Sequence, residues 1–294
     1  MLGAIAGDIC GAPWEGGACP KERFEVFGFG SAFTDDTVCT VAIAQALLEN
    51  RDIAQTLRDW VLRYPMRGYG GRFVDWANSD MGPYDSFANG GAMRVSPVAL
   101  LASSLDEVDA MANATAEVTH NHPEGMRGTR ALAGAVWLAR QGLSAEELRE
   151  QISQRYGYDL TSSVAALSAD FGFTVLAEET VPMAIIAALE ATSWESAVAN
   201  AVQIGGDADT LACMAGAIAE ARFGLPAPYA QKALQYLTAE MVQVLIDLYT
   251  RAGLELPWAK EGVSQSTVPQ SPAEAPQRSL TDVAKAWWKG RKAV

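Results

Sequence analysis

Residues 205–224 read GGDADTLACMAGAIAEARFG, and this stretch decides the fold. Two glycines lead into Asp207-Ala208-Asp209-Thr210, and apolar positions then recur at three and four, the period of an α-helix. Alanine and glycine dominate residues 212–221. Side chains this small let backbones pack tightly, so a helix over 210–223 is expected at the centre of a helical protein. A second stretch has the same grammar: Thr34-Asp35-Asp36-Thr37 runs into an apolar helix from Val38 to Leu48. Taken singly, each cluster is explained by N-capping and by acids complementing the helix dipole. Taken together they exceed that need. A cap uses one oxygen and each cluster offers several, while adjacent buried carboxylates repel unless a cation neutralises them. Carboxylates with neighbouring hydroxyls suit magnesium, manganese or calcium rather than zinc. Two such cations roughly 3.5–4 Å apart form a hydrolytic device.

Working outward, helical periodicity covers residues 38–49, 53–63, 106–118, 128–141, 145–156, 182–191, 194–204, 210–223 and 229–252. Alternating strands are scarce, the best being the short run 171–177. The expected fold is all-α, a single large domain over residues 1–260. Residues 64–91, rich in Gly, Pro, Asn and Asp, resist helix; a loop this long with this aromatic content points to function. Residues 261–279 are Ser, Gln, Pro and Ala and read as a disordered linker. Residues 280–294 form a short basic segment in which Trp287 and Trp288 lie near Lys285, Lys289, Arg291 and Lys292. That segment reads as a frayed tail, as a segment docking on the chain's own acidic body, or as an anchor for a partner or membrane surface.

Composition narrows the function. The chain has 294 residues and a net charge of −13, which argues against general nucleic-acid binding. Its four cysteines, Cys10, Cys19, Cys39 and Cys213, have no zinc-site spacing. The first residues, MLGAIAGDICGAP, lack a basic n-region and meet Asp8 early, unlike a signal peptide. No apolar run reaches membrane-span length, so a cytoplasmic protein is expected. With no exposed apolar heptad, it is expected to be a monomer. The only histidines are His120 and His122. That excludes a His-rich metal site and leaves acid–base chemistry mainly to carboxylates.

Other segments carry candidate groups. Asp8 and Glu15 lie seven apart and would share a helical face, but Pro13 favours a break between them. Asp8 reads equally as a buried or capping acid, and Glu15 as a loop carboxylate able to reach a cleft. Gly7 and Gly11 suggest close packing. RGYGG at 67–71 and NGGAMR at 89–94 expose backbone N–H groups, the second where a helix over 92–101 would start, a natural phosphate seat. Neither is a Walker or Rossmann loop. Arg94 either binds an anion or pairs with a core acid. Thr119-His120-Asn121-His122-Pro123 closes a helix, where an imidazole either complements the dipole or touches a ligand.

In order, GDICGAPWE, TDDT, RGYGG, ANGGAMRVSP, THNHP and GGDADTLACMAGAIAEARFG resemble the ADP-ribosylglycohydrolase family, over about residues 2–225. The resemblance implies an orthogonal multi-helix domain with a binuclear magnesium or manganese site in a central cleft. It implies metal ligation by Thr34, Asp35, Asp36, Asp207, Asp209 and Thr210. It also implies a catalytic role for Glu15, diphosphate and ribose contacts at Gly70, Gly71, Asn89, Gly90 and Gly91, and a cleft histidine at His120. Asp85 lies near the place of an active-site aspartate in some bacterial members. Two departures stand out: Ala88 where glycine is usual, and Glu220 where Gly or Ala is usual.

The implied reaction frees ADP-ribose from a protein side chain or a small adduct by attack of water at C1 through an oxocarbenium-like state. Glu15, with Asp36 as second candidate, would take the water's proton, and Asp85 would protonate the leaving group. Tyr69, Tyr84 and Phe87 are available to stack on adenine. The rivals are another binuclear-metal hydrolase, disfavoured by the missing histidines, and a non-catalytic ADP-ribose binder or toxin-immunity protein on the same scaffold.

Overall fold

Every residue from Ala208 to Ala219 of the helix Ala208–Phe223 is buried, as is all of the helix Leu2–Gly11. Helices apolar on all sides belong in the middle of a fold, and these two lie against each other along their lengths. Gly3, Gly7 and Gly11 form the contact ridge. A Cβ on Gly3 would lie 2.7 Å from the Gly216 carbonyl oxygen, and one on Gly11 2.5 Å from that of Ala208. A Cβ on Gly7 would overlap the Ala212 carbonyl. No side chain fits between the two backbones at any of these positions.

The computed structural model describes residues 1–17, 24–169 and 172–259. Among them are fifteen α-helices: α1 Leu2–Gly11, α2 Asp35–Glu49, α3 Ile53–Arg63, α4 Gly71–Ala77, α5 Gly90–Met93, α6 Ser96–Leu101, α7 Leu105–Ala116, α8 Pro123–Arg140, α9 Ala145–Tyr156, α10 Val164–Ala169, α11 Ala177–Leu189, α12 Trp194–Ile204, α13 Ala208–Phe223, α14 Ala227–Leu234 and α15 Ala239–Arg251. The fold is therefore all-α, as expected. Helices α8, α11, α12 and α2 pack around the α1–α13 pair. Local chemistry sets the boundaries: Thr34, Asp52, Ser104, Ser144, Ser193 and Thr238 each cap a helix through a side-chain oxygen. No helix among the described residues is long and apolar enough to cross a membrane. The linker 261–279 and the basic segment 280–294 lie outside the described residues.

Several local expectations are corrected. The helix expected over 229–252 is two helices, because Thr238 caps a new start at α15. The resistant stretch 64–91 contains α4, whose Phe73, Trp76 and Ala77 give it a buried face. The helix expected over 92–101 is split into α5 and α6, with Pro97 seated in the first turn of α6, where its missing N–H costs nothing. The run 171–177 forms no strand among its described residues. Leu176 makes an isolated antiparallel bridge with Ala88, and α11 starts at Ala177 and continues through Pro182. His122 does not close a helix: its Nδ1 accepts from the Glu124 N–H at 3.2 Å and caps the start of α8.

The two departures from the family pattern are absorbed locally. Ala88 is absent from the residues with positive φ, so its backbone has no need of glycine. Glu220 accepts from the Gly3 N–H at 2.7 Å and from the Met1 amino group at 2.6 Å, which ties the start of α1 to α13.

Candidate metal centre

Both acid–threonine clusters sit at helix starts, one at α2 and one at α13, and the fold brings them into contact. The Thr210 hydroxyl donates to Asp36 Oδ2 at 3.2 Å, across 174 residues of sequence. Two sets of acids have oxygens within 4.8 Å of one another: Asp8, Asp36 and Asp209; and Glu15, Asp207 and Asp209. Asp209 belongs to both. Asp35 falls in neither set; it is half-buried at the edge, where its N–H donates to the Arg67 carbonyl at 2.8 Å.

Asp8 organises the first cluster from behind. It is fully buried on α1. Its Oδ2 accepts from the N–H of Thr34 at 3.0 Å and from the N–H and hydroxyl of Thr37 at 3.2 and 2.5 Å. Its Oδ1 accepts from the Thr34 hydroxyl at 2.6 Å. The start of α2 is thus pinned to α1 by one carboxylate. Thr34 also caps α2 through the Asp36 N–H at 3.4 Å. The turn carrying Glu15 follows the break at Pro13 and is anchored to the second cluster by the Gly16 N–H, which donates to the Gly206 carbonyl at 2.8 Å.

The electrostatics follow from burial. Desolvation pushes the Asp8 carboxyl up to about 6. It drives Asp36, Asp35 and Asp209 well above the usual carboxylate range, and their mutual repulsion adds to the shift. Asp207 is raised by burial, against the pull of its hydrogen bond from Asn89. A buried set of acids this close is stable when neutralised by protons or by cations. The cation fits the donors: all are oxygens, and buried Asp36 Oδ1 has no hydrogen-bond partner among the described residues, an acceptor that a hard divalent ion would satisfy. Thr34, Asp36, Asp207, Asp209 and Thr210 converge on this site, with Asp35 at its edge.

The glycine loops border it. The Asn89 amide donates to Asp207 Oδ2 at 2.6 Å, tying the 89–91 turn to the second cluster. A Cβ on Gly90 would stand 2.8 Å from His120 Nε2, so the glycine turn lies directly on the imidazole. Gly91 packs on Thr129 and His120. Gly70 and Gly71 lead into α4 through open space, where a Cβ on either would meet no atom within 4 Å. Their loop touches the acids through Gly68, whose Cβ would lie 3.1 Å from Asp35 Oδ1. Asp85 is exposed, holds a left-handed backbone with φ 57°, and donates its N–H to Asn121 Oδ1 at 2.8 Å. It belongs to neither set of converging acids. Arg94 forms no ion pair with an acid among the described residues, against the expected pairing with a core acid, and instead donates to Thr115 O and Thr119 Oγ1. Sequence reasoning misses the bonds of Thr37 to Asp8 and of Thr119 to Arg94. The signal for Thr37 is the pairing of one acid inside an apolar helix with a TDDT turn.

Among the described residues the fold is all-helical, and two helix starts share an all-oxygen acid cluster that could hold a hard divalent cation. The chain belongs to the ADP-ribosylglycohydrolase family, whose sequence model matches residues 1–255. It is 28% identical to ADP-ribosylhydrolase ARH3 of Danio rerio, over 76% of this chain and 82% of that protein. It is also 28% identical to ADP-ribosylhydrolase ARH3 of Mus musculus, over 66% of this chain and 70% of that protein. A solved ADP-ribosylglycohydrolase-related protein complex contains a chain of similar fold, with a TM-score of 0.66 and 26% identity over 85% of this chain and 95% of that one.

Proposed function

We propose that this protein hydrolyses the glycosidic bond joining ADP-ribose to a protein side chain or small adduct. The observation that carries the reading is the Thr210–Asp36 hydrogen bond, which makes two distant clusters one site with Asp209 common to both sets of acids. Thr34, Asp35, Asp36, Asp207, Asp209 and Thr210 would hold two magnesium or manganese ions. When bound, such ions orient the ribose hydroxyls and stabilise developing negative charge.

The protein's own groups divide the remaining work. Glu15, on an exposed turn beside Asp207 and Asp209, takes the proton from the attacking water. Asp36 suits that role less, since it is buried and shared between Thr34 and Thr210. The glycine turns at 70–71 and 89–91 receive the diphosphate and ribose, and His120 contacts the ligand beside Gly90. Asp85, at the exposed rim, protonates the leaving group. Tyr84 is buried at 8% exposure while Phe87 is 52% exposed, so Phe87 is the more accessible surface for adenine. The protein acts as a monomer. Cys10, Cys39 and Cys213 are free and buried, which suits a reducing cytoplasm.

The test is a panel of arginine- and serine-linked ADP-ribosyl peptides and O-acetyl-ADP-ribose, each assayed with magnesium, manganese or chelator. Free ADP-ribose should appear with metal and vanish with chelator or in Asp209→Ala. Full activity in that variant would refute the scheme. Release of inorganic phosphate would favour a phosphoesterase, and tight ADP-ribose binding without turnover would favour a binder.

A further inference from the structure

Arg94 is 1% exposed and has no carboxylate partner among the described residues. Its guanidinium donates to the Thr115 carbonyl at 3.0 Å and to Thr119 Oγ1 at 2.8 Å. Thr119 is fully buried, and its Oγ1 lies 2.8 Å from His120 Nδ1. A guanidinium can only donate, so Thr119 Oγ1 accepts from Arg94 and has one proton left to give. The acceptor within reach of that hydroxyl is His120 Nδ1. With the ring proton on Nδ1 instead, the hydroxyl would accept from both Arg94 and His120, and its own proton would be orphaned in the core. The penalty for such an orphan favours the first arrangement by about tenfold or more.

We propose that Arg94 and Thr119 are positioning residues that hold the His120 imidazole with its proton on Nε2, aimed at an acceptor oxygen of the ligand. The ligand part rests on the reading of the cleft as an ADP-ribose site. The direction of the ring agrees: its Nε2 edge faces Gly90, where a Cβ would stand 2.8 Å from Nε2 and 3.0 Å from Cε1, and Nδ1 is turned inward to Thr119. The preceding residue in that turn, Asn89, reaches Asp207, so the donor lies beside the acid cluster. Burial and the nearby Arg94 charge hold the imidazole well below its usual range and keep it neutral. His120 is then a fixed neutral donor and not a proton shuttle.

The chain has two histidines, so the full-length protein labelled with 15N-histidine can be read directly by long-range 1H–15N correlation at about pH 7.5, well above the ordinary imidazole range. A His122→Asn variant leaves one imidazole for assignment. The expected spectrum shows His120 protonated at Nε2, with a lone pair at Nδ1. In Thr119→Val the single tautomer should be lost and affinity for free ADP-ribose, measured by calorimetry, should fall about tenfold; Thr119→Ser should restore both. A proton on Nδ1 in the unmodified protein, or an imidazolium, overturns the proposal, as does a Thr119→Val protein with unchanged tautomer and affinity. If Thr119→Val does not fold, the unmodified spectrum alone decides. Absence of any ADP-ribose binding by the unmodified protein would count against the functional reading, and the ring nitrogens would still report the tautomer.

Discussion

Without metal, stability should fall as pH rises, and added metal should offset that loss. In each set of acids three carboxylates have oxygens within 4.8 Å of one another. At that separation and an effective dielectric constant near 20, one ionised pair repels by about 3 kcal/mol, and three pairs by about 10 kcal/mol. That matches the whole stability of an ordinary domain, about 5–15 kcal/mol. The metal-free fold must therefore keep several of these groups protonated. Folded-state values are raised, to about 6 for Asp8 and well above the carboxylate range for Asp36 and Asp209. The folded state then binds more protons than the unfolded chain, so this contribution to stability is full at low pH and is lost as pH rises through about 6 and beyond. In chelator, the melting midpoint should fall between about pH 5.5 and pH 8. Magnesium at about 100 times its Kd adds about 2.7 kcal/mol. For a domain of this size that is a gain of about 5–10 °C, larger at the alkaline end of that range than at the acid end. Scanning calorimetry across pH, with and without magnesium, measures both slopes. Asp36→Asn supplies the control: more stable than the unmodified protein in chelator at the alkaline end, and blunted in its response to metal. A metal-free midpoint that rises with pH, or a magnesium shift that is flat across pH, would refute the argument.

Three further outcomes follow from named contacts. Glu15→Gln should lower kcat by about 10²–10⁴ while leaving the magnesium thermal shift in place; loss of the shift would make Glu15 a metal-holding group instead. Asp85→Gly should raise stability by about 0.5–1 kcal/mol, because glycine relieves the left-handed backbone at φ 57°, while Asp85→Gly and Asp85→Asn should both slow hydrolysis. Unchanged rates in both variants would remove Asp85 from the reaction. Gly7→Ala should destabilise by about 1–3 kcal/mol, because its methyl group meets the Ala212 carbonyl; an unchanged melting midpoint would mean that α1 and α13 can separate without loss.

The central helix is legible in the sequence because its Ala and Gly content admits one physical use, close backbone approach, and α13 is buried through Ala219. The TDDT and GGDADT stretches are legible for a different reason: each holds more acid than a helix cap requires. Their meeting is not legible from spacing, since the Thr210–Asp36 bond joins residues 174 apart. Motif order, through the family resemblance, supplies what spacing cannot. Short elements escape sequence reading where tertiary contact overrides local preference. Helix α4 grows inside a Gly- and Asp-rich stretch because Phe73 and Trp76 find the core, and α11 runs through Pro182 because Thr180, Val181 and Ala184 hold its inner face in the core. His122 reads as the end of a helix and caps the beginning of the next, a distinction that depends on where its ring points and not on its neighbours in sequence.

The glycines of α1 and the acids of the site are parts of one device. A Cβ on Gly11 would lie 2.5 Å from the Asp209 Cα, so glycine there is what lets the shared acid come up against α1. One turn earlier Asp8 gathers four donors from Thr34 and Thr37 and fixes the start of α2 to the same helix. Helix α1 therefore sets the separation of the two clusters: a missing side chain admits Asp209, and a carboxylate draws in Asp36. Gly7 and Gly11 are four apart and Asp8 and Gly11 three apart, which places these groups on adjacent strips of one helical surface. A glycine ridge that looks purely structural thus has a direct bearing on the acid cluster, since any residue larger than glycine at 11 would meet the Asp209 backbone and displace it.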